Sequence, residues 1–127
     1  MSEAFRLFVY GQLRRGQIGH ERLGLEQRTK WLGPAGVQGR LYDFGDYPGL
    51  ILGGSNIVYG ELLGFDDPAL WIVLDAYEEF DTENPDLSEF RRGVVKILGH
   101  GITACVYVYN QTLEGKRRID GFKYPLR

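Results

Sequence analysis

Two neighbouring glutamates in the stretch LDAYEEF (residues 74–80) carry the clearest acid–base potential in the chain. On a helix, successive residues turn by about 100°. With Leu70 set at zero, Leu74 falls near ~40°, Tyr77 near ~340°, Glu78 near ~80° and Glu79 near ~180°. Glu79 then points to solvent, whereas Glu78 lies at the edge of the apolar stripe. Glu78 also falls in the last helical turn, where the dipole disfavours an anion. Burial and dipole both raise a carboxyl pKa, and such a carboxyl suits proton abstraction near neutral pH. Two readings compete for Glu78: a general base, or an edge glutamate that reaches water or pairs with Arg91 or Arg92, which would lower its pKa.

A second stretch, LFVYGQLRRG (7–16), ends an apolar run in Tyr10, Gly11, Gln12 and Leu13. Backbone N–H groups left open after a strand form a concave anion site, and Gly11 permits close approach. The alternative is a glycine turn closing an edge strand. A phosphate-binding P-loop is excluded, because no Gly-Lys-Ser/Thr follows. Tyr107 and Tyr109 share a strand face with Cys105 and are candidates for a cavity wall that hydrogen-bonds a ligand, as is Tyr47 ahead of Pro48 and Gly49. Arg14 and Arg15 read as a solvated loop. Cys105 reads as a small core residue rather than a nucleophile, since no His flanks it. His20 and His100 sit in glycine-flanked loops without metal-ligand spacing, so no metal site is expected.

These side chains need a scaffold. Residues 5–10 read as a strand buried on both faces. Residues 11–35 read as a long loop with one helical turn near His20–Leu25. The segment 36–54 alternates apolar runs with Gly, Asp and Pro and predicts strand, tight bend, strand. Residues 56–65 predict another strand, with Gly60 marking a bulge or a close backbone contact. A helix is predicted from Asp67 as N-cap with Pro68 at its first position, and Leu70, Val73, Leu74 and Tyr77 make its buried stripe. A polar excursion, DTENPDLSEF, leads to two strands at 91–98 and 101–110 joined by GHG. The tail from Glu114 is basic and weakly patterned. Six strands with one clear helix predict an α+β domain with a curved sheet or small barrel.

Bulk composition narrows the function classes. One domain over residues 1–127 is expected from the length. The chain is 43% apolar and 25% charged, which predicts an ordered fold. A net charge of -2 gives no reason to expect nucleic acid or an anionic membrane as a partner, and the basic dipeptides are scattered without a recognition motif. No apolar run is long enough to span a bilayer. The single Cys105 and the acidic N-terminal stretch without a cleavage signal predict a cytoplasmic protein. Glycine is abundant, at 18 residues, so bends and short strands are expected.

In order along the chain, VYGQLRRG (9–16), GRLYDFGDYPGL (39–50), VYGELL (58–63), LDAYEEF (74–80), FRRGVV (90–95) and ACVYVY (104–109) resemble the γ-glutamylcyclotransferase-like superfamily, including AIG2-like proteins and γ-glutamylamine cyclotransferases. The resemblance covers nearly the whole chain. It implies a small mixed β-barrel with flanking helices and a cavity at its mouth. It implies that Tyr10, Gly11, Gln12 and Leu13 bind a γ-glutamyl group and that Glu78 is the catalytic base. The implied reaction is attack of a γ-glutamyl α-amine on its own γ-carbonyl, releasing 5-oxoproline and an amine or amino acid, with no cofactor. The alternative is a non-catalytic protein of the same fold that binds a small carboxylate or amide. Departures from the family pattern fall at Gln12, where small hydroxyl residues are common, at Glu79, where Gly is frequent, and at Phe80 and Phe90, where Tyr is often found. The reaction sets a requirement on Glu78. An α-ammonium has a pKa of roughly 8 and an ordinary Glu one near 4.3, so the proton transfer is uphill by about 5 kcal/mol. Raising the carboxyl to about 6 or 7 cuts this to roughly 1.5–3 kcal/mol.

Overall fold

The apolar run after Arg6 has no polar face because it becomes the strand shared by two cores. The structure, a computed structural model, describes residues 2–119. In β1 (Arg6–Val9), Phe8, followed by Tyr10 just beyond, enters one core with Val37, Leu50, Val58 and Val106. Leu7 and Val9 enter the other with Leu25, Leu63, Leu70, Leu74 and Tyr107. Alternation along the strand thus feeds opposite faces of one sheet.

The remaining elements are α1 (Ile18–Arg22), α2 (Leu25–Arg28), β2 (Lys30–Asp43), β3 (Pro48–Gly64), α3 (Leu70–Tyr77), β4 (Phe90–Ile97), β5 (Ile102–Tyr109) and β6 (Arg117–Ile119). Short 3-10 turns cover Glu3–Phe5 and Pro85–Leu87. The strand order is β4-β5-β1-β3-β2-β6. Among the described residues only β1 and β5 are parallel; the other pairs are antiparallel. The Leu98 N–H donates to the Gly36 carbonyl at 3.0 Å, bringing the end of β4 round to β2. The result is an α+β fold with a mixed six-stranded sheet curled into a half-barrel, helices packing on its outer face. Among the described residues no helix is long and apolar enough to cross a membrane.

Several boundaries differ from the sequence expectation. Residues 30–35 are strand, not loop, because the long β2–β3 ladder carries them despite Gly33 and Pro34. The loop before them holds two short helices rather than one turn. The expected strands ending at 54 and starting at 56 are one strand, β3. Its pairing with β2 jumps from Gly39↔Leu52 to Gln38↔Ile57, so residues 53–56 bulge out, with Gly53 and Gly54 left-handed at φ 99° and 84°. The sixth strand is β6 instead, in the segment read as weakly patterned; the rest of that tail, 120–127, lies outside the described residues. Gly60 marks a close backbone contact: a Cβ there would lie 2.2 Å from the Val9 carbonyl oxygen.

The helix also opens later than expected. The Asp67 carboxylate accepts from the Ala69 N–H at 2.9 Å. However, the Leu70, Trp71 and Ile72 amides bond three residues back, to Asp67, Pro68 and Ala69. A tight 3-10 turn therefore precedes α3, whose N-cap is Ala69. The stripe is as expected, with Leu70 and Leu74 fully buried. The C-terminus closes in a Schellman motif: the Phe80 N–H donates to the Asp75 carbonyl (2.9 Å) and the Glu79 N–H to that of Ala76 (3.3 Å). Glu79 occupies the left-handed position at φ 54°, the only non-glycine to do so among the described residues. That geometry explains why glycine suits this place. Glu79→Gly should therefore raise stability by about 0.5–1 kcal/mol, roughly 4 °C in Tm, whereas Glu79→Ala, which keeps the Cβ, gains less. Thermal unfolding of the three proteins side by side checks this.

Candidate active site

A cavity of about 190 Å³ opens where the end of β1, the C-terminus of α3 and the start of β4 meet. Tyr10, Gly11, Gln12, Leu13, Tyr47, Glu78 and Tyr107 all line it. Tyr109 does not. It packs beside the wall instead, its ring 4.2 Å from that of Phe44 and 5.6 Å from that of Phe90. Arg14 and Arg15 are also outside: Arg14 folds back to the Gly11 carbonyl and Arg15 lies over Trp31. Cys105 is half-buried with its Sγ 3.5 Å from the Glu3 carbonyl.

The loop after β1 turns its carbonyls away from the cavity. The Gly11 carbonyl accepts from the backbone N–H and Nε of Arg14, at 3.1 and 3.0 Å. The Gln12 carbonyl accepts from the His20 N–H at 3.0 Å, and the Leu13 carbonyl from His20 Nδ1 at 2.9 Å. A carbonyl only accepts, so Nδ1 carries the proton. Among the described residues, none of the Gly11, Gln12 and Leu13 amides donates to a protein acceptor. Three successive carbonyls are claimed and three successive N–H groups are open, the arrangement of an anion-binding nest. Buried His20 is the residue that fixes it. Sequence reading placed His20 in a loop and missed this role.

The Gln12 side chain clamps the loop on two flanks. Gln12 Nε2 donates to the Asp46 carbonyl at 2.6 Å, and its Oε1 accepts from the Tyr77 hydroxyl at 2.7 Å. A residue with a small hydroxyl is too short to bridge the bend before β3 and the helix α3 in this way. Gly11 packs so closely that a Cβ would sit 3.0 Å from two carbons of the Pro48 ring.

Glu78 is the C-cap of α3 and follows the Leu74 turn as the helical wheel requires. Protein surrounds it except where it opens to the cavity, and burial pushes its pKa up to about 8, with the Glu89 charge adding to the effect. Neither arginine neutralises it. Arg91 is exposed. Arg92 is held by Asp75, with Nε 3.0 Å from Oδ1 and Nη2 3.2 Å from Oδ2, and lies over the Trp71 ring. Asp75 also accepts from the Tyr107 hydroxyl at 2.5 Å, and the Tyr10 hydroxyl donates to the Tyr107 carbonyl at 2.7 Å. Burial raises the pKa of Tyr10, helped by the Glu78 charge, and that of Tyr107, helped by its bond to Asp75, so both phenols stay protonated. The Asp of LDAYE is thus the anchor that keeps Arg92 from its Glu, which has no counter-ion among the described residues.

Glu89 also lines the cavity and was absent from the sequence-derived set. Its Oε2 accepts from the Tyr47 hydroxyl. The polar excursion positions it: Asn110 bonds the carbonyls of Pro85 and Ser88 and its N–H bonds that of Glu89, stapling the segment to the end of β5. Glu89 is one of four acids between residues 81 and 89, with no periodic pattern to single it out. Glu79 is exposed as expected, yet reaches the cavity rim.

Comparisons with known proteins bear on the fold and the family. The family model "Gamma-glutamyl cyclotransferase, AIG2-like" matches residues 7–125. A Vibrio cholerae protein named "Putative gamma-glutamylcyclotransferase" is 35% identical over 109 residues, covering 84% of this chain and 83% of its own. The solution structure of protein ytfP from Escherichia coli superimposes with a TM-score of 0.67 at 27% identity, covering 95% of this chain and 97% of that one. The crystal structure of an AIG2-like protein from Mus musculus superimposes with a TM-score of 0.58 at 24% identity, over 85% and 77% of the two chains, and shares the fold. The chain belongs to the gamma-glutamyl cyclotransferase, AIG2-like family.

Proposed function

We propose that the chain cyclises γ-glutamyl compounds to 5-oxoproline, with Glu78 as the proton carrier and the Gly11–Leu13 amides as the anion site. The observation that carries this reading is a carboxyl without a counter-ion among the described residues, its pKa raised to about 8, sharing a cavity with three open N–H groups. A site built only to bind a carboxylate gains nothing from a second buried carboxyl.

The chemistry follows from the parts. The substrate α-ammonium passes a proton to Glu78. With donor and acceptor both near pKa 8, the uphill cost of about 5 kcal/mol for an ordinary glutamate nearly vanishes. The freed amine attacks the γ-carbonyl and forms the ring C–N bond. The amides of 11–13 stabilise the substrate α-carboxylate, the oxyanion, or both. Collapse breaks the γ-amide C–N bond. The departing nitrogen takes up the proton held on Glu78 and the one lost by the ring nitrogen, and leaves as an ammonium. The cavity walls Tyr10, Tyr47 and Tyr107 hold the substrate folded for attack.

Glu78→Gln should lower 5-oxoproline release by about 10²–10⁴-fold while ligand binding persists. Undiminished release removes Glu78 from the mechanism. In the wild type, kcat/KM should climb from pH 6 toward pH 8 with its limb near 8; a limb near 4.5 indicates a solvated base. The same shift acts on stability. The folded state holds a proton on Glu78 that the unfolded state releases near 4.5, so this contribution is full below about pH 4.5 and is lost as pH rises through 8. The Tm of Glu78→Gln relative to wild type should therefore increase between pH 5 and 9.

His20→Ala should release the Leu13 carbonyl, cost about 1–2 kcal/mol of stability and reduce kcat/KM roughly tenfold or more through a loosened loop. Unfolding and steady-state kinetics measured together separate the two effects.

A further inference from the structure

The cavity is unusually one-sided in what it presents. Beyond the open amides of 11–13, its four tyrosine hydroxyls have committed their protons inward: Tyr10 to the Tyr107 carbonyl, Tyr107 to Asp75, Tyr77 to Gln12 and Tyr47 to Glu89. They offer a ligand only acceptor oxygens. Three carboxylates, Glu78, Glu79 and Glu89, line the same space, and among the described residues no lysine or arginine does. Arg22 acts on Tyr77 and Lys116 lies over the Phe44 ring, but neither borders the cavity. Glu89 is oriented rather than loose, because Tyr47 is flanked by the rings of Phe44 and Phe90 at 5.7 and 5.9 Å. Glu79 lies within hydrogen-bonding reach of Glu89, whose proximity raises its pKa.

We propose that Glu89, held by Tyr47 and backed by Glu79, selects the leaving half of the substrate by charge: it favours leaving amines that carry a second, cationic amino group and disfavours those that carry a carboxylate. The open amides are matched to the α-carboxylate and oxyanion of the glutamyl half. A second carboxylate on the leaving half meets the Glu79–Glu89 pair and no cation among the described residues. A second ammonium finds acceptors throughout. γ-Glutamyl derivatives of diamines fit this inventory, and γ-glutamyl derivatives of amino acids with a free carboxylate do not. The inference rests on the cyclotransferase reading of the site.

The test uses three γ-glutamyl amides of equal length, made from 1,4-diaminobutane, butylamine and 4-aminobutyrate. The expected order of kcat/KM is cationic, neutral, anionic, with the outer two separated by about 100-fold. Glu89→Gln should shrink that ratio by roughly tenfold, and Glu79→Gln by less, since it is the more exposed. A ratio is insensitive to the fraction of protein folded, so a destabilised variant still reports. Cationic and neutral compounds turned over within twofold of each other, or a ratio unchanged in Glu89→Gln, overturns the proposal. If none of the three is cyclised, the reaction reading fails instead. Calorimetric binding of the same three compounds then decides the charge preference, and equal affinities overturn it.

Discussion

Arg92 can serve only one carboxylate, and Asp75 has it. Arg92 donates one hydrogen bond to Asp75 from Nη2, with Nε in close ionic contact, it lies over Trp71, and Asp75 is further engaged by Tyr107. Helix α3 is thereby fixed to β4 and β5, and Arg92 is committed to Asp75 rather than to Glu78, one turn on. If the pairing were reversed, Glu78 would be an ordinary salt-bridged glutamate with a depressed pKa and little use as a proton acceptor at neutral pH. Desolvation then acts unopposed, and the charge of Glu89 adds to it. The remainder of the site is arranged around a carboxyl that the fold has declined to neutralise.

The loop at 10–13 solves the complementary problem of presenting positive potential without a cation. Its carbonyls are bound by Arg14 and His20, and its side-chain amide is bound by the Asp46 carbonyl and Tyr77. What remains is a row of N–H dipoles. Such dipoles stabilise an anion but cannot transfer a proton to Glu78 or form a salt bridge with it, as a lysine in the same place would. The two halves of the site can therefore sit in one small cavity without cancelling each other.

Much of this was legible in the sequence, for identifiable reasons. Glu78 was separable from Glu79 because helical periodicity is a strong geometric rule, and the burial of Leu70 and Leu74 confirms the wheel. The double-faced apolar run at 7–10 announced a central strand. Other features had no local signal. Gly33 and Pro34 argue against a strand, yet a seventeen-residue partner, β3, imposes one. Glu89 is one acid in a polar run, and only its staple to Asn110 aims it inward. His20 looked like loop because its partners are backbone carbonyls of residues 12 and 13. Tyr109 shared the strand face of Tyr107 but meets Phe44 and Phe90 rather than open space. These misses are tertiary contacts made by residues whose own neighbourhoods are ordinary.

The parallel pairing of β1 with β5 has a temporal corollary. Leu7 lies opposite Cys105 and Phe8 opposite Val106, and the Tyr10 hydroxyl reaches the Tyr107 carbonyl across 97 positions of chain. Closing so long a loop carries an entropic cost that no local structure offsets beforehand. During synthesis β1 can pair with β3 first, but its other edge stays open until β5 has emerged. Recognition and acid–base machinery therefore come into being together and late, as a property of the finished sheet rather than of any segment of it.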